Sequence, residues 1–423
     1  MLLKLKKNSP AQNKNEKIVA ALDIGTNKIV CLIAKVDPND GISLIGMGHQ
    51  ASKGVRGGNV IDVDLAQRAI GQAIHSAEQS ARSHLRGTPL DQVIVSVSSK
   101  DCRSYPSKSE LSLKGHMVSD YHINKLHNNC LNHDIPDTME VIHKISFGYT
   151  IDGNDNIKNP LSMNAEKIQT KALELAVPSM PLINLANAIE NNHVDIQFFC
   201  LNAYASSLGA LAEEESDMNA VLIDIGAGTS DIAIFSEGRL VHTASIAVGG
   251  NHITSDISKV LSTPVAHAER IKTLYGSATL SPIHDNEIID IPLIGEDDIA
   301  NHTQIERSVL LGIIKPRLEE IFELIRADIE DSGLADLCGR RAIITGGTAN
   351  IPGIAEFASF MLDKQVRVGK PNLSPKTHDP IFSNVVGLLK YGLNHFDETP
   401  AVTSPYSTWS IFEQLKQWVK DNW

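Results

Sequence analysis

Apolar and polar positions divide this chain into a sequence of strands and helices that is used twice. Residues 1–17 carry no sustained apolar pattern and are expected to be disordered. "KIVAALDIGTNKIVCLIAKV" (17–36) is two β-branched runs broken at Gly25-Thr26-Asn27, which predicts strand, tight turn, strand. "ISLIGMG" (42–48) and "QVIVSVS" (92–98) read as further strands, and "LAQRAIGQAIHSAEQSARSHL" (65–85) has helical period. From about 102 to 182 the texture changes to segments such as "EVIHKISFGYTID" and "EKIQTKALELAVP" around a polar helix, predicting a small inserted α+β unit.

The second half restates the first. "VLIDIGAGTSDIAIFSEGRLVHTASIAV" (221–248) repeats Asp-Ile-Gly after an aliphatic strand, with Asp224 placed 201 residues beyond Asp23. A solenoid would repeat every 20–50 residues or so, so the spacing predicts two related domains. Residues 252–302 read as helical and charge-mixed. A long helix follows over 305–333, expected to kink near Pro316, where the ring removes a backbone donor. "RRAIITGGTANIPGIAEFASFML" predicts a buried strand, a glycine turn and a helix, and "DETPAVTSPYST" a Pro/Thr/Ser linker before the last segment.

Composition narrows the function classes. The chain has 423 residues, 42% apolar and 21% charged, with a net charge of −12 and no extended Lys/Arg run. That argues against broad nucleic-acid binding, which needs clustered cations to neutralise phosphates. Five cysteines without CxxC spacing predict reduced, mostly buried thiols in a cytosolic protein. No apolar run approaches the eighteen or so residues that span a bilayer, and the start lacks a signal-peptide core. Sixteen histidines include His116, His122, His127 and His133 at mixed intervals, with no HExxH or Cys/His cluster, so they read as surface or core-satisfied residues. The acidic run "LAEEESD" (211–217) reads as a solvated cap or loop.

Three glycine turns carry the candidate chemistry. In "LDIGTNK" an acidic residue ends a buried strand, and the N–H groups of Gly25, Thr26 and Asn27 are expected to point into the turn as a phosphate nest. Asp23 at the strand end could hold waters around Mg²⁺. "IDIGAGTSD" repeats the device with Asp224, Gly226, Gly228 and Thr229, and "ITGGTAN" places Gly346 and Gly347 between a strand and a helix N-terminus, where backbone can approach a nucleotide. Any one such turn is more often a plain β-turn; three in this arrangement point to nucleotide binding.

Asp-Ile-Gly-Thr, Asp-Ile-Gly-x-Gly-Thr-x-Asp and Thr-Gly-Gly in this order resemble the actin/heat-shock chaperone/sugar kinase superfamily. "VIVSVSSKDCRSY", "VIHKISFGYTIDGNDNIKNPLSMNA", "GGNHITSDIS", "AERIKTLYG", "KPRLEEIFELI" and the terminal segment resemble one branch more closely, the FtsA family of bacterial cell-division actin homologues. The resemblance implies an α/β, actin-like two-lobed fold with duplicated sheet-and-helix domains, an FtsA-type inserted α+β subdomain and a C-terminal amphipathic helix. The expected division is subdomain 1A over 18–101, completed by 379–396; inserted subdomain 1C over 102–182; subdomain 2A over 183–250, completed by 316–378; subdomain 2B over 251–315; a linker over 397–407; and a membrane-targeting helix over 408–423.

By the same resemblance, ATP with Mg²⁺ sits between the lobes. Asp23, Gly25, Thr26 and Asn27 form the first phosphate loop, and Asp224, Gly226, Gly228 and Thr229 the second, with Asp23 and Asp224 holding Mg²⁺ through water. Gly249 and Gly250 lie near the phosphates, Glu269 and Lys272 line ribose and base, and Gly346 and Gly347 form the adenosine motif. From the residues alone, Glu269 and Lys272 are equally a solvated helix pair. Asn202-Ala203 stand where relatives often carry Glu-Pro, Ala227 where Gly is usual, and Thr348 where a small residue is common. An amide at 202, a position that could orient attacking water, implies slow hydrolysis at most. The implied role is a polymer on the cytoplasmic face of the inner membrane at the division site. It anchors the tubulin-like filament protein FtsZ by its C-terminal peptide on residues 251–315, with 102–182 serving self-association and later division proteins. A soluble sugar kinase or phosphotransferase, or an actin-like scaffold of a pilus or secretion machine, are the alternatives.

All three tryptophans fall in "TWSIFEQLKQWVKDNW" (408–423). On a wheel of about 100° per residue, Ile411, Phe412, Leu415, Trp418, Val419 and Trp423 fall within about 140°. Lys416 and Lys420 edge that arc, and Glu413, Gln414, Gln417 and Asp421 oppose it. Such a face fits the protein's own core, a partner groove or a membrane surface. The flexible tether before it and the family resemblance favour the membrane, with Trp409 and the other rings at headgroup level and the lysines reaching lipid phosphates.

Overall fold

The computed structural model describes residues 17–37, 41–130, 134–279, 287–294 and 303–395. The expected disordered start, the linker and the terminal helix with Trp409, Ile411, Phe412, Leu415, Lys416, Trp418, Val419, Lys420 and Trp423 lie outside them, as does His133.

The chain opens with β1 (Lys17–Ile24), β2 (Lys28–Asp37) and β3 (Gly41–Ala51), a small hairpin of β4 (Val55–Arg56) and β5 (Asn59–Val60), helices α1 (Val63–Ser80) and α2 (Arg82–Leu85), and β6 (Gln92–Val97). The insertion holds β7 (Arg103–Ser112), α3 (Asp120–Asn129), β8 (Met139–Ile151), β9 (Asn154–Ile157) and β10 (Lys167–Pro178). After α4 (Ser179–Glu190) and β11 (Asp195–Leu201), α5 (Asn202–Ala210) crosses to the second lobe. There follow α6 (Glu213–Asp217), β12 (Val221–Ile225), β13 (Ser230–Ser236), β14 (Arg239–Ile246), α7 (Gly250–Val260), α8 (Val265–Tyr275), β15 (Ile288–Ile291), β16 (Thr303–Glu306) and α9 (Arg307–Asp331). Then β17 (Arg341–Thr345), α10 (Ile354–Leu362) and β18 (Gln365–Val368) complete that lobe, and α11 (Ser383–Asn394) returns to the first.

The duplication is structural. One sheet runs β11-β6-β1-β2-β3 and the other β18-β17-β12-β13-β14. In each, three antiparallel strands are followed by two added in parallel. The insertion is a separate sheet, β7-β10-β8-β9, with α3 packed on it through Leu126.

Small residues let helices approach closely. On α1, Ala66, Ala69, Ala73 and Ala77 are buried against β3, where a Cβ on Gly48 would lie 2.1 Å from the Ala73 carbonyl oxygen. At the crossing of α5 and α11, a Cβ on Gly387 would lie 1.6 Å from the Ala205 carbonyl oxygen, and one on Gly209 would lie 1.9 Å from that of Ser383. Backbone touches backbone there, which fixes the entry to the second lobe against the return helix.

Four features depart from expectation. Asp195–Leu201, within the segment expected for the second lobe (183–250), pairs in parallel with β6 in the first sheet; the second sheet begins at Val221. Within 252–302, expected to be helical, Ile288–Ile291 is a strand paired with Thr303–Glu306, its alternate residues Ile289 and Ile291 buried. Gly346 and Gly347 enter a 3-10 turn (Gly347–Asn350), and the α-helix begins only at Ile354. Glu215 of the acidic run is buried rather than solvated, because Arg367 and Arg341 reach it. The long helix α9 runs unbroken through Pro316 and buries Leu310, Ile314, Leu318, Ile321, Ile325 and Ile329 along one stripe.

Candidate functional site

The two Asp-Gly turns are the same object built twice. Each caps a hairpin, with Ile24 paired to Ile29 and Ile225 to Ser230. Each closes with one hydrogen bond: Gly25 N–H donates to the Lys28 carbonyl, and Gly226 N–H to that of Thr229, both at 2.9 Å. This changes the expected donor set. The N–H groups of Gly25 and Gly226 close their own turns, so the groups left to face a phosphate belong to Thr26 and Asn27, and to Ala227 and Gly228.

Because the sheets are arranged alike, both turns open into one cleft between the lobes. Its cavity is about 360 Å³, and its lining includes Asp23, Gly25, Thr26, Asn27, Asn202, Asp224, Gly226, Gly228, Thr229, Gly250, Glu269, Lys272, Gly346 and Gly347. Of the expected nucleotide residues only Gly249 stands outside this lining, as the residue before α7, packed against the second turn. A Cβ there would meet the Gly226 oxygen at 2.7 Å. Gly250 N–H donates to the Gly226 oxygen at 2.9 Å, and Thr348 Oγ1 to the same oxygen at 3.1 Å. Thr348 thus ties the Thr-Gly-Gly turn to the second Asp-Gly turn.

Glu269 and Lys272 are not a free surface pair. Lys272 Nζ lies 2.7 Å from Glu269 Oε2 and donates to the Gly250 oxygen at 3.1 Å and to Thr254 Oγ1 at 2.9 Å. One turn of α8 is thereby fixed to the start of α7, facing the cleft.

Several residues at the site were not singled out from the sequence. Lys28 directs Nζ to the Ile381 carbonyl at 2.9 Å and lies 4.9 Å from the Phe382 ring centroid. Burial lowers its pKa, opposed by the charges of Asp23, Asp379 and Asp224. Asp231 accepts from Ser98 Oγ at 2.7 Å and from Asn202 Nδ2 at 2.6 Å. Ser96 Oγ donates to Asp23 at 3.1 Å. Asn384 Nδ2 donates to the Asn202 side-chain oxygen and, at 3.2 Å, to its backbone oxygen. Lys28 and Asp231 stand inside the quoted motifs and could have been found by asking which charge offsets which. Ser96, Ser98 and Asn384 carry no local signal.

Three carboxylates share this space. Burial pushes Asp224 up to about 7, reinforced by Asp231 and Asp23 and opposed by the hydrogen bond from Ser206. Burial likewise raises Asp23, against the pull of Lys28, and raises Asp231 against its hydrogen bonds. Asn202 spans two of them, its Nδ2 lying 2.6 Å from Asp231 and 3.3 Å from Asp224. Its amide is committed on both sides, unlike a side chain poised over an open water position.

A hydrated cation fits this donor set: acidic oxygens with raised proton affinity that line the cavity from both lobes. Among the described residues there is no group of three or more His, Cys, Asp or Glu that could hold a metal ion. Two histidines of the insertion have partners there: His127 meets the Tyr149 hydroxyl at 3.0 Å, and His122 Nδ1 lies 3.1 Å from Ser119 Oγ.

Side chains bridge the cleft beside the first turn. Asn27 and Asn251 exchange side-chain hydrogen bonds of 3.0 and 2.9 Å across the lobes. The tip of the β4–β5 hairpin reaches over, so that a Cβ on Gly228 would meet Gly57 backbone at 3.2 Å and Thr26 Oγ1 at 2.4 Å.

Two duplicated sheets around such a cleft define an actin-like fold. Solved structures of that shape include the PilM–PilN type IV pilus biogenesis complex, with a TM-score of 0.60 at 14% identity over 89% of this chain and 98% of that one. They also include MreB5 of Spiroplasma citri bound to ADP, with a TM-score of 0.51 at 15% identity over 90% and 97%. Family profiles place the chain further: cell division protein FtsA matches residues 221–387, and the SHS2 domain inserted in FtsA matches 99–174. Cell division protein FtsA of Agrobacterium fabrum is 33% identical over 90% of this chain and 88% of the relative. That of Pseudomonas aeruginosa is 29% identical over 97% and 100%, and that of Escherichia coli K12 is 28% identical over 96% and 98%. The chain belongs to the FtsA family of cell division proteins.

Proposed function

We propose that the chain binds ATP with Mg²⁺ in the interlobe cleft, assembles into a polymer on the cytoplasmic face of the inner membrane, and anchors FtsZ filaments there. The observation that carries the nucleotide reading is the convergence of both Asp-Gly turns and the Thr-Gly-Gly turn on one cavity. Thr26, Asn27, Ala227 and Gly228 offer backbone donors to phosphates, and Gly346 and Gly347 let backbone approach adenosine. Asp23 and Asp224 hold waters of the cation, which supplies charge neutralisation when bound. The engaged amide of Asn202 supports slow hydrolysis, with ATP acting as a structural ligand that stabilises the assembling conformation.

Membrane contact belongs to residues 408–423, by the amphipathic pattern and the family. Among the described residues no helix is long and apolar enough to cross a membrane. Contact with the FtsZ C-terminal peptide belongs to the region 251–315, and recruitment of later division proteins to the insertion. The test is sedimentation of FtsZ filaments with anionic liposomes. FtsZ should pellet only when the full chain and ATP are both present, and should stay in solution when its C-terminal peptide is removed. Pelleting without the chain, or indifference to that peptide, overturns the tether.

A further inference from the structure

Strand β8 of the insertion touches both lobes within five residues, and each contact falls where its ladder with β10 is interrupted. The register passes from Leu175↔His143 to Ala176↔Val141, leaving Ile142 as an extra residue beside His143. It passes from Thr170↔Tyr149 to Ala172↔Ser146, leaving Phe147 and Gly148 opposite Lys171. Such bulges release backbone groups from the ladder and re-aim what they carry.

At the first bulge, His143 Nε2 accepts the Leu201 N–H at 2.9 Å. Its ring lies edge-on to Tyr204 at 5.1 Å and to Tyr391 at 5.6 Å between centroids, and only 5% of it is exposed. Leu201 immediately precedes α5, whose first residue Asn202 bonds Asp224 and Asp231 in the cleft. At the second bulge, the freed Phe147 carbonyl accepts from Arg239 of β14, in the second lobe. The Arg239 guanidinium also packs over Gly148, 3.1 Å from where a Cβ would sit. Gly148 has φ of +83°, which a side chain would strain.

We infer that β8 is the mechanical link between the nucleotide cleft and the inserted subdomain. It holds the start of the interlobe helix at one point and the second lobe at another, so a rotation of the lobes cannot preserve both contacts unless the insertion turns with them. The same coupling runs in reverse, because linkage is reciprocal: a partner that fixes the insertion changes affinity at the cleft. His143 and Arg239 are positioning residues in this scheme. The inference rests on the cleft binding nucleotide.

The experiment is hydrogen–deuterium exchange of the full chain with and without Mg–ATP, on the wild type and on Arg239→Ala. Arg239 is only partly buried, so the variant keeps the core; Arg239→Lys is the conservative control, and His143→Gln, which retains an acceptor, tests the other contact. In the wild type, Mg–ATP should slow exchange at least threefold in both phosphate turns and in residues 139–151. In Arg239→Ala the turns should still respond, with Kd for ATP within about threefold, while 139–151 should not; Arg239→Lys should restore part of that response. Protection of the turns without any change in β8, or an unchanged β8 response in Arg239→Ala, overturns the coupling alone. No protection of the turns in the wild type overturns nucleotide binding and this inference with it.

Discussion

Asp224 holds its proton more tightly in the folded cleft than in water, and this sets two pH dependences. Between its ordinary value of 3.8 and about 7, the folded protein keeps a proton that the unfolded chain sheds. The stabilising effect of that proton is therefore greatest near the acid end of the window and is lost as pH rises through 7. On the proposed reading, a cation with nucleotide favours the ionised form, so binding of Mg–ATP should release a proton at neutral pH. Affinity should tighten roughly fivefold from pH 6 to 7 and little beyond 8, since each pH unit below the pKa is worth at most about tenfold. Calorimetric titration in buffers of differing ionisation enthalpy reads the released proton, and a flat profile would mean the cation leaves Asp224 alone. Asp224→Asn should remove the pH dependence and most of the Mg²⁺ requirement.

Glycines in the cleft give a second test at this scale. A Cβ on Gly250 would lie 2.6 Å from Thr348 Oγ1 and 3.5 Å from Lys272 Nζ. Gly250→Val should therefore separate the Thr-Gly-Gly turn from the second phosphate turn and weaken ATP binding at least tenfold. Overpacking of this kind costs about 1–3 kcal/mol in stability, which thermal unfolding measures. The residues bearing these turns were legible because Asp, Gly and Thr recur in fixed order after aliphatic strands. Ser98, Asn384 and the orientation of the Asn202 amide were not, since they reach the site from strands and helices remote in sequence and bear no spacing relation to it. The turn-closing bonds of Gly25 and Gly226 were hidden too: a nest and a closed β-turn share one sequence, and only geometry decides which N–H groups remain.

Among the elements, the crossing of α5 and α11 bears most on function, because α5 carries Asn202 and α11 carries Asn384. Two glycines set their separation, and Gly387 has no room for a side chain against the Ala205 carbonyl. Gly387→Leu should push the helices apart, break the Asn384 to Asn202 bonds and cost at least about 3 kcal/mol, beyond ordinary overpacking because the obstacle is backbone. Denaturant unfolding and loss of nucleotide binding should move together; a folded variant with intact binding would show that the crossing does not position the cleft. Long periodic elements such as α1 and α9, and the repeated β-hairpins, were visible from pattern. The strands Ile288–Ile291 and Gln365–Val368 were not. Each is four residues long, and alternation over so few positions carries little signal beside acidic or basic neighbours. Strand β11 was assigned to the wrong lobe because sequence order suggests the sheet that follows it, whereas a parallel partner, β6, already waited in the first sheet.

At the scale of the whole molecule, the proposed membrane contact is an argument about number. Five or six apolar side chains of residues 408–423 could contribute several kcal/mol, at about 1.5–3 kcal/mol each before the cost of ordering the segment. Lys416 and Lys420 are offset by Glu413 and Asp421, so attraction to anionic lipid adds little. A single chain should therefore leave the surface readily, while a polymer presenting many such segments is retained through effective concentration. Liposome co-sedimentation should then rise steeply with protein concentration when Mg–ATP is present and only gradually without it. A chain ending before Thr408 should stay in solution in both conditions, and an artificial dimer of the full chain should bind without nucleotide at concentrations where the monomer does not. Equal binding by monomer and dimer would show that each segment is a strong anchor alone. Solubility of every form would place the Trp-rich face on protein instead, leaving nucleotide to govern assembly without governing attachment.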